Sequence, residues 1–380
     1  MDVRKFSIPE IIFGRGSLNY AGLCARRLGG ERVLLISDKG LENAGWVARV
    51  TEILDKEGLK WVYYGEVSSN PRDFEIENGA AMYLENKTDV VIALGGGSPM
   101  DAAKGIALVA SNGGRIHDYE GANRIQRPLP PTVFIPSTAG SGSDISQFAI
   151  ITDVKRRVKM SIISRTLVPS ISIIDPLILA TKSEKLIIAA AIDAFCHGVE
   201  SYVSTIASPF TELQSIKAMQ LIMHHLEPAV QSRGIDDLEQ LSTASTAAAM
   251  AFSNAGLGAE HAIAHSLGGM FDTLHGLVHP VLLPHVMRFN LPACTEKMAH
   301  VGEILLGKKR RTPIATAVAG IKRLEEFSRS LGIPVSLKDV VDDRAQLPEL
   351  CRMAANDVCL LTNPRAASWG DLLKICEQAW

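Results

Sequence analysis

Up to about residue 180 the chain alternates short β-branched runs with helix-like stretches, the pattern of a parallel sheet covered by helices. Residues 33–37, 61–67, 90–94 and 132–136 read as strands, and 47–57 and 74–84 as helices between them. In such sheets ligands collect beyond the carboxyl ends of the strands, so the residues at those ends carry the information.

The third strand runs into Gly95-Gly96-Gly97-Ser98-Pro99-Met100-Asp101, with Lys104 a turn later. Three glycines let the backbone approach a ligand, and the exposed N–H groups of the next helix's first turn form an anion site. The pattern is neither GxGxxG nor a P-loop, and a plain strand-to-helix turn looks the same. The fourth strand, however, ends in a second loop of small residues, Ser137-Thr138-Ala139-Gly140-Ser141-Gly142-Ser143-Asp144. Two such loops at neighbouring strand ends point to a bound nucleotide more strongly than either does alone, and Gly96, Gly97, Ser98, Asp101, Thr138, Ala139 and Ser141 are the cofactor-binding candidates they supply. Asp38 ends the first strand, where a carboxylate accepts adenosine ribose hydroxyls, although it could simply start a turn. A 2′-phosphate would meet like charge there at a cost of about 1–4 kcal/mol, so NAD is expected over NADP.

Beyond residue 180 the character changes to helical segments, at 209–229, 238–254, 258–272, 312–331 and 347–359. Thr181-Lys182-Ser183-Glu184 fits a capping box at the head of another helix. That helix carries Asp193 and His197, four residues apart and therefore on one face. His261 and His265 repeat the spacing, and so do His275 and His279. A lone histidine in an apolar segment is usually a hydrogen-bonded core residue, but a carboxylate with several imidazoles suits a divalent ion such as Fe(II) or Zn(II). The zinc-protease reading of His261-xxx-His265 fails, because Ala262 stands where the catalytic glutamate belongs. A sheet domain over residues 1–180 and a helical domain over 181–380 are expected, with the reacting centre in the cleft between them.

Composition excludes other classes. A net charge of -2 offers no basic field for nucleic acid, and no run is long and apolar enough to suggest a membrane segment. Met1-Asp2-Val3-Arg4-Lys5 leads into a strand-like run and not a signal peptide's apolar core, so a cytoplasmic location is expected. The six cysteines form no CxxC pair and read as reduced core residues. Lys308-Lys309-Arg310-Arg311 reads as the solvated opening of a helix.

Taken together, Gly95-Gly96-Gly97-Ser98-Pro99 with Asp101 and Lys104, Thr138-Ala139-Gly140, Asp193-xxx-His197-Gly198, His261-xxx-His265 and Leu274-His275-Gly276 resemble, in order and spacing, an iron-containing (group III) alcohol dehydrogenase. The resemblance covers nearly the whole chain. It implies a Rossmann-like parallel sheet with helices on both faces followed by an all-α domain, the dehydroquinate synthase-like architecture. It implies metal ligation by Asp193, His197, His261 and His275, with His265 unligated beside the nicotinamide, where the near-neutral pKa natural to histidine makes it the candidate proton relay. It further implies NAD contacts at Asp38, Asn70, Gly97, Ser98, Thr138 and Lys159, and a substrate pocket bordered by Phe148, Ile150, Phe252 and Cys359. His279 and His285 match no role and read as structural.

Ser137, Ser141 and Asp144 stand where the family commonly has Thr, Thr and Glu, and Cys196 replaces a frequent Thr. Phe148 lies where some members carry a polar residue, which bears on the substrate. The expected activity is interconversion of small primary alcohols and aldehydes by hydride transfer at a metal-bound alkoxide, with NAD and Fe(II), or Zn(II) or another divalent ion, in a homodimer or larger homo-oligomer. The alternatives are a weakly catalytic sensor on the same fold, or a dehydrogenase of hydroxy acids or phosphorylated polyols.

Overall fold

A computed structural model describes residues 5–273, 275–333 and 336–380. The chain divides into two compact units, Ser7–Ser183 and Glu184–Trp380, the latter joined by Lys5 and Phe6.

The first unit holds β1 (Glu10–Phe13), α1 (Ala21–Arg27), β2 (Arg32–Ile36), α2 (Lys39–Asn43), α3 (Trp46–Lys56), β3 (Lys60–Tyr64), α4 (Asp73–Glu85), β4 (Val90–Gly95) and α5 (Gly97–Asn112). It continues with β5 (Gly121–Ala122), β6 (Thr132–Pro136), β7 (Phe148–Asp153), β8 (Val158–Ile163), β9 (Ile171–Ile174) and α6 (Pro176–Leu179). Six strands form a parallel sheet in the order β1-β9-β6-β4-β2-β3. Its central strands are buried on both faces, which is why they read as unbroken apolar runs. Leu34, Ile36, Val91, Ala93 and Phe134 pack to one side, while Val33, Leu35, Val90, Ile92, Leu94, Val133 and Ile135 pack to the other. After β3 the chain crosses back over β2 to lay down β4. The carboxyl ends of β2 and β4 therefore flank the point where the strand order reverses, the position at which open sheets bind ligands.

The sequence shows four of these strands. The strand-like run after Lys5 contains β1, but the sequence does not show β9 or the second sheet, β5-β8-β7, in which β7 and β8 run antiparallel. The turn between β7 and β8 carries neither glycine nor proline; Arg157 takes the left-handed conformation (φ 57°) and Asp153 Oδ1 accepts the Arg156 amide at 2.8 Å.

The second unit is helical: α7 (Glu184–Val203), α8 (Pro209–Ser232), α9 (Ile235–Ala255), α10 (Ala259–Phe271), α11 (His279–Asn290), α12 (Thr295–Leu306), α13 (Pro313–Ser330), α14 (Leu347–Ala354) and α15 (Trp369–Ala379). Ser208 caps α8 with Pro209 behind it, and Thr312 with Pro313 does the same for α13. Helix α7 has the length and apolarity of a membrane span, yet 94% of that stretch is buried inside the protein. The expected capping box at its head is a correction: α7 begins at Glu184, so Thr181 lies too early to cap it. Thr181 Oγ1 instead donates to Ile178 O at 2.7 Å and accepts from Trp46 Nε1 at 3.0 Å. The helix expected over 347–359 stops at Ala354, because Asp357 takes a capping position and accepts the Cys359 amide at 2.8 Å. The basic cluster at 308–311 is an exposed connection between α12 and α13. Met1–Arg4 and Leu274, which the sequence reading uses, lie outside the described residues.

Candidate metal centre and nucleotide loops

Asp193, His197 and Glu200 follow one another at spacings of four and three along α7, so the helical repeat turns all three to one side. All three are buried. Oδ1 of Asp193 is the hub: His279 Nε2 lies 3.1 Å from it, His197 Nε2 3.4 Å and His261 Nε2 3.6 Å. One donor atom from each of Asp193, His261, His275 and His279 falls within 4.8 Å of the others. His197 stacks on Phe252 at 4.2 Å and on His261 at 4.6 Å between ring centroids.

Among the described residues, Asp193 Oδ1, His261 Nε2 and His279 Nε2 are buried with no hydrogen-bond partner, despite lying so close together. Leaving such atoms unbonded and out of water costs about 1–3 kcal/mol each. A cation removes that cost. With ligand bonds of about 2.1 Å, donors sit about 3.0 Å apart at right angles and about 3.4 Å apart at tetrahedral angles, which the spacings around Asp193 reproduce. Burial alone would raise the Asp193 carboxyl, but the charges of His197 and His279 hold it well below the usual carboxylate range. The residues present therefore fit a divalent ion.

Carboxylates fix the imidazoles from behind. Glu200 Oε2 accepts the Nδ1–H of His261 at 2.7 Å and the Gly258 amide at 3.0 Å, while Oε1 accepts the Glu260 amide at 2.8 Å. One side chain thus pins the start of α10 and sets the His261 tautomer. Gly258 is required for this, since a Cβ there would stand 2.8 Å from Glu200 Oε1. Glu260 receives the Nδ1–H of His279 at 2.8 Å. His265, one turn beyond His261, directs Nδ1 to Asp357 Oδ2 at 2.9 Å. Burial opposes the Asp357 charge, but His265 and the Cys359 amide keep its carboxyl below the usual value. His275 opens a tight turn whose Gly276 is pressed onto α7, where a Cβ would meet the Ala189 carbonyl oxygen at 2.7 Å. Cys196 lies beside Glu260 and His279, where burial and the Glu260, Asp193 and Glu200 charges push its thiol well above the ordinary value.

Sequence reasoning thus singles out five side chains that the fold brings together: Asp193, His197, His261, His265 and His275. It leaves out Glu200, Glu260 and Asp357, and it gives His279 no role. Glu200 had a signal, seven residues after Asp193 on the same helical face. Asp357 had none.

In the sheet unit, the Gly95–Gly97 turn joins β4 to α5, whose first turn carries no side-chain cap. A Cβ at Gly96 would stand 3.4 Å from Thr138 Oγ1 and one at Gly97 3.0 Å from Ser141 Cβ, so the two small-residue loops lie side by side. The Ser98 hydroxyl donates to Ser69 O. Asp38 caps α2 by accepting the Leu41 amide on Oδ1 at 2.9 Å. Asn70 lies in the loop before α4, and its carbonyl accepts the Ser68 hydroxyl at 2.8 Å. Asp101 is turned into the protein and accepts the Ile150 amide at 3.2 Å. Ala139 is buried within the second loop, and Lys159 pairs with Thr152 in the β7–β8 hairpin. Phe148 and Ile150 belong to that hairpin, whereas Phe252 and Cys359 lie against His197 and Asp357 in the helical unit.

Comparison with known proteins gives the family. Residues 9–176 match the model for "iron-containing alcohol dehydrogenase", and residues 187–380 match that for "Fe-containing alcohol dehydrogenase family, C-terminal". The NAD-dependent methanol dehydrogenase of Bacillus methanolicus is 35% identical, covering 98% of this chain and 99% of its own. The 1,3-propanediol dehydrogenase of Klebsiella pneumoniae is 36% identical over the full length of both chains. The solved alcohol dehydrogenase from Oenococcus oeni is 33% identical, covers the whole of both chains and superposes with a TM-score of 0.96. With both matched regions spanning the nucleotide loops and the histidine cluster, the chain belongs to the iron-containing alcohol dehydrogenase family.

Proposed function

We propose that this chain is a metal- and NAD-dependent dehydrogenase that interconverts small primary alcohols and aldehydes. The observation that carries the reading is the convergence of the unbonded donors of Asp193, His261 and His279 beside His265. When bound, a divalent ion, Fe(II) first, supplies Lewis acidity toward the substrate oxygen, and NAD supplies the hydride acceptor.

The chain's own residues do the rest. Asp193, His197, His261 and His275 are read as metal ligands, with Glu200 holding His261 in the ligating tautomer. Asp357 fixes Nδ1 of His265 and leaves Nε2 to take or return the alcohol proton. The amides at the head of α5, which no side chain caps, are read with Gly96, Gly97, Ser98, Thr138, Ala139 and Ser141 as the pyrophosphate site. Asp38 is read as the ribose acceptor, with Asn70, Asp101 and Lys159 as further cofactor contacts. Phe148, Ile150, Phe252 and Cys359 are read as substrate contacts; they offer no strong partner for a second hydroxyl or a phosphate. Burying such a group without one costs roughly 1–3 kcal/mol, so simple alcohols should be preferred over diols. We also read the chain as a cytoplasmic homodimer or larger homo-oligomer, a size that light scattering measures.

The test is NAD reduction with a panel of alcohols on protein loaded with Fe(II), Zn(II), Ni(II) or Mn(II), beside His261→Ala and His275→Ala. Turnover in the wild type, lost together with metal content in both variants, supports the reading. Stoichiometric metal retained in both variants overturns the ligand assignment.

A further inference from the structure

His279 is the first residue of α11 and is fully buried. Its Nδ1 lies 2.8 and 2.9 Å from the two oxygens of Glu260, a carboxylate that is itself fully buried. Such an acceptor keeps a proton on Nδ1 and turns Nε2 toward Asp193, where a bound cation takes the place of the second ring proton. Nε2 then lies 3.1 Å from Asp193 Oδ1, closer than the nearest nitrogen of His197 or His261, and has no hydrogen-bond partner among the described residues. The ring centroid stands 4.8 Å from that of His261 and 4.5 Å from that of His275. Glu260 thus serves His279 as Glu200 serves His261: each imidazole is held from behind by a buried carboxylate, and both Nε2 atoms face Asp193.

We propose that His279 is a fifth protein ligand of the metal, through Nε2, with Glu260 as its positioning residue. The inference rests on the reading that this cluster binds a divalent ion. Asp193, His197, His261, His275 and His279 then offer one oxygen and four nitrogens, and a substrate oxygen makes six donors. Six donors of this type suit Fe(II), Co(II), Ni(II) or Mn(II), whereas Zn(II) settles into four-coordinate sites. The extra histidine therefore biases the centre against zinc.

The experiment compares wild type, His279→Ala and His279→Gln, each stripped with chelator and reloaded with one equivalent of Co(II). The wild type should show the weak visible bands of five- or six-coordinate Co(II). Both variants should bind Co(II) with the intense bands of a four-coordinate ion, and their preference for Zn(II) over Co(II) should rise on the order of tenfold or more. X-ray absorption of the Fe(II)-loaded wild type should require four imidazoles and needs no variant to fold. Three imidazoles there, or one spectrum shared by all three proteins, overturns the proposal and leaves His279 as an ion pair between Asp193 and Glu260. Failure of the wild type to bind Co(II) or Fe(II) overturns the metal reading and this inference with it.

Discussion

Nδ1 of His265 lies 2.9 Å from Oδ2 of Asp357, a pair made across 92 residues of chain and almost wholly removed from solvent. If His265 relays the alcohol proton, His265→Ala should keep its metal and lose turnover by about 10²–10⁴-fold. Asp357→Asn should also keep its metal but lose less, since the imidazole remains and only its tautomer is freed. Metal analysis beside kcat checks both, and metal loss in His265→Ala would make it a ligand.

Glu200→Gln is the sharper test of the centre. An amide N–H facing Nδ1 of His261 moves the ring proton to Nε2, where it blocks ligation. Metal affinity should fall about 10–100-fold while the fold persists, as chelator competition and circular dichroism will report.

How much of this was legible in the sequence differs from element to element. β2, β4 and β6 announce themselves because burial on both faces demands unbroken apolar runs. The β7–β8 hairpin stays hidden because its turn puts an arginine at positive φ where glycine would have signalled it. Asp193, His197, His261, His265 and His275 are legible because helical spacing and a family resemblance point the same way. His279 shows as a histidine, but its approach to Asp193 depends on how α11 is set against α7, which no local pattern encodes.

If Asp38 accepts the ribose hydroxyls, cofactor choice turns on it. Asp38→Gly should narrow the preference for NAD over NADP by removing both the ribose acceptor and the repulsion of a 2′-phosphate. It should also cost about 0.5 kcal/mol or less of stability, since glycine is a tolerable helix cap and α2 is short. Comparing kcat/KM for the two cofactors decides it; a wild type that uses both equally would remove Asp38 from this role.

If Phe148 borders the substrate, substrate choice turns on it. Phe148→Asn opens volume and adds a polar partner, so kcat/KM for 1,2-propanediol should rise relative to 1-propanol, by about tenfold for each 1.4 kcal/mol gained. An unchanged ratio would mean that Phe148 never meets substrate.

Lys104 gives the sheet unit a pH signature. Its buried ammonium donates to Ser146 O at 2.8 Å and Phe148 O at 2.6 Å, and burial pushes its pKa down to about 8 against the opposing pull of Asp101 and Asp144. Between about pH 8 and the unfolded value near 10.5 the unfolded chain binds more protons, so this group's contribution to stability rises with pH. Urea titrations should show that rise in the wild type, on the order of 1–2 kcal/mol from about pH 8 to 9.5, and its loss in Lys104→Met. Parallel curves would show that Lys104 does not titrate there.

The donors gathered around Asp193 have a consequence for the unfolded chain as well. Asp193 and His261 are 68 positions apart (261 − 193), and both belong to the helical unit. An ion bridging them closes that loop as a disulfide would, and in the chain-entropy account a loop of this length is worth about 4 kcal/mol. An ion held there would be a reversible cross-link that staples α7 to α10. Its withdrawal would loosen Glu184–Trp380 while leaving the topology of the parallel sheet without a stake in the exchange.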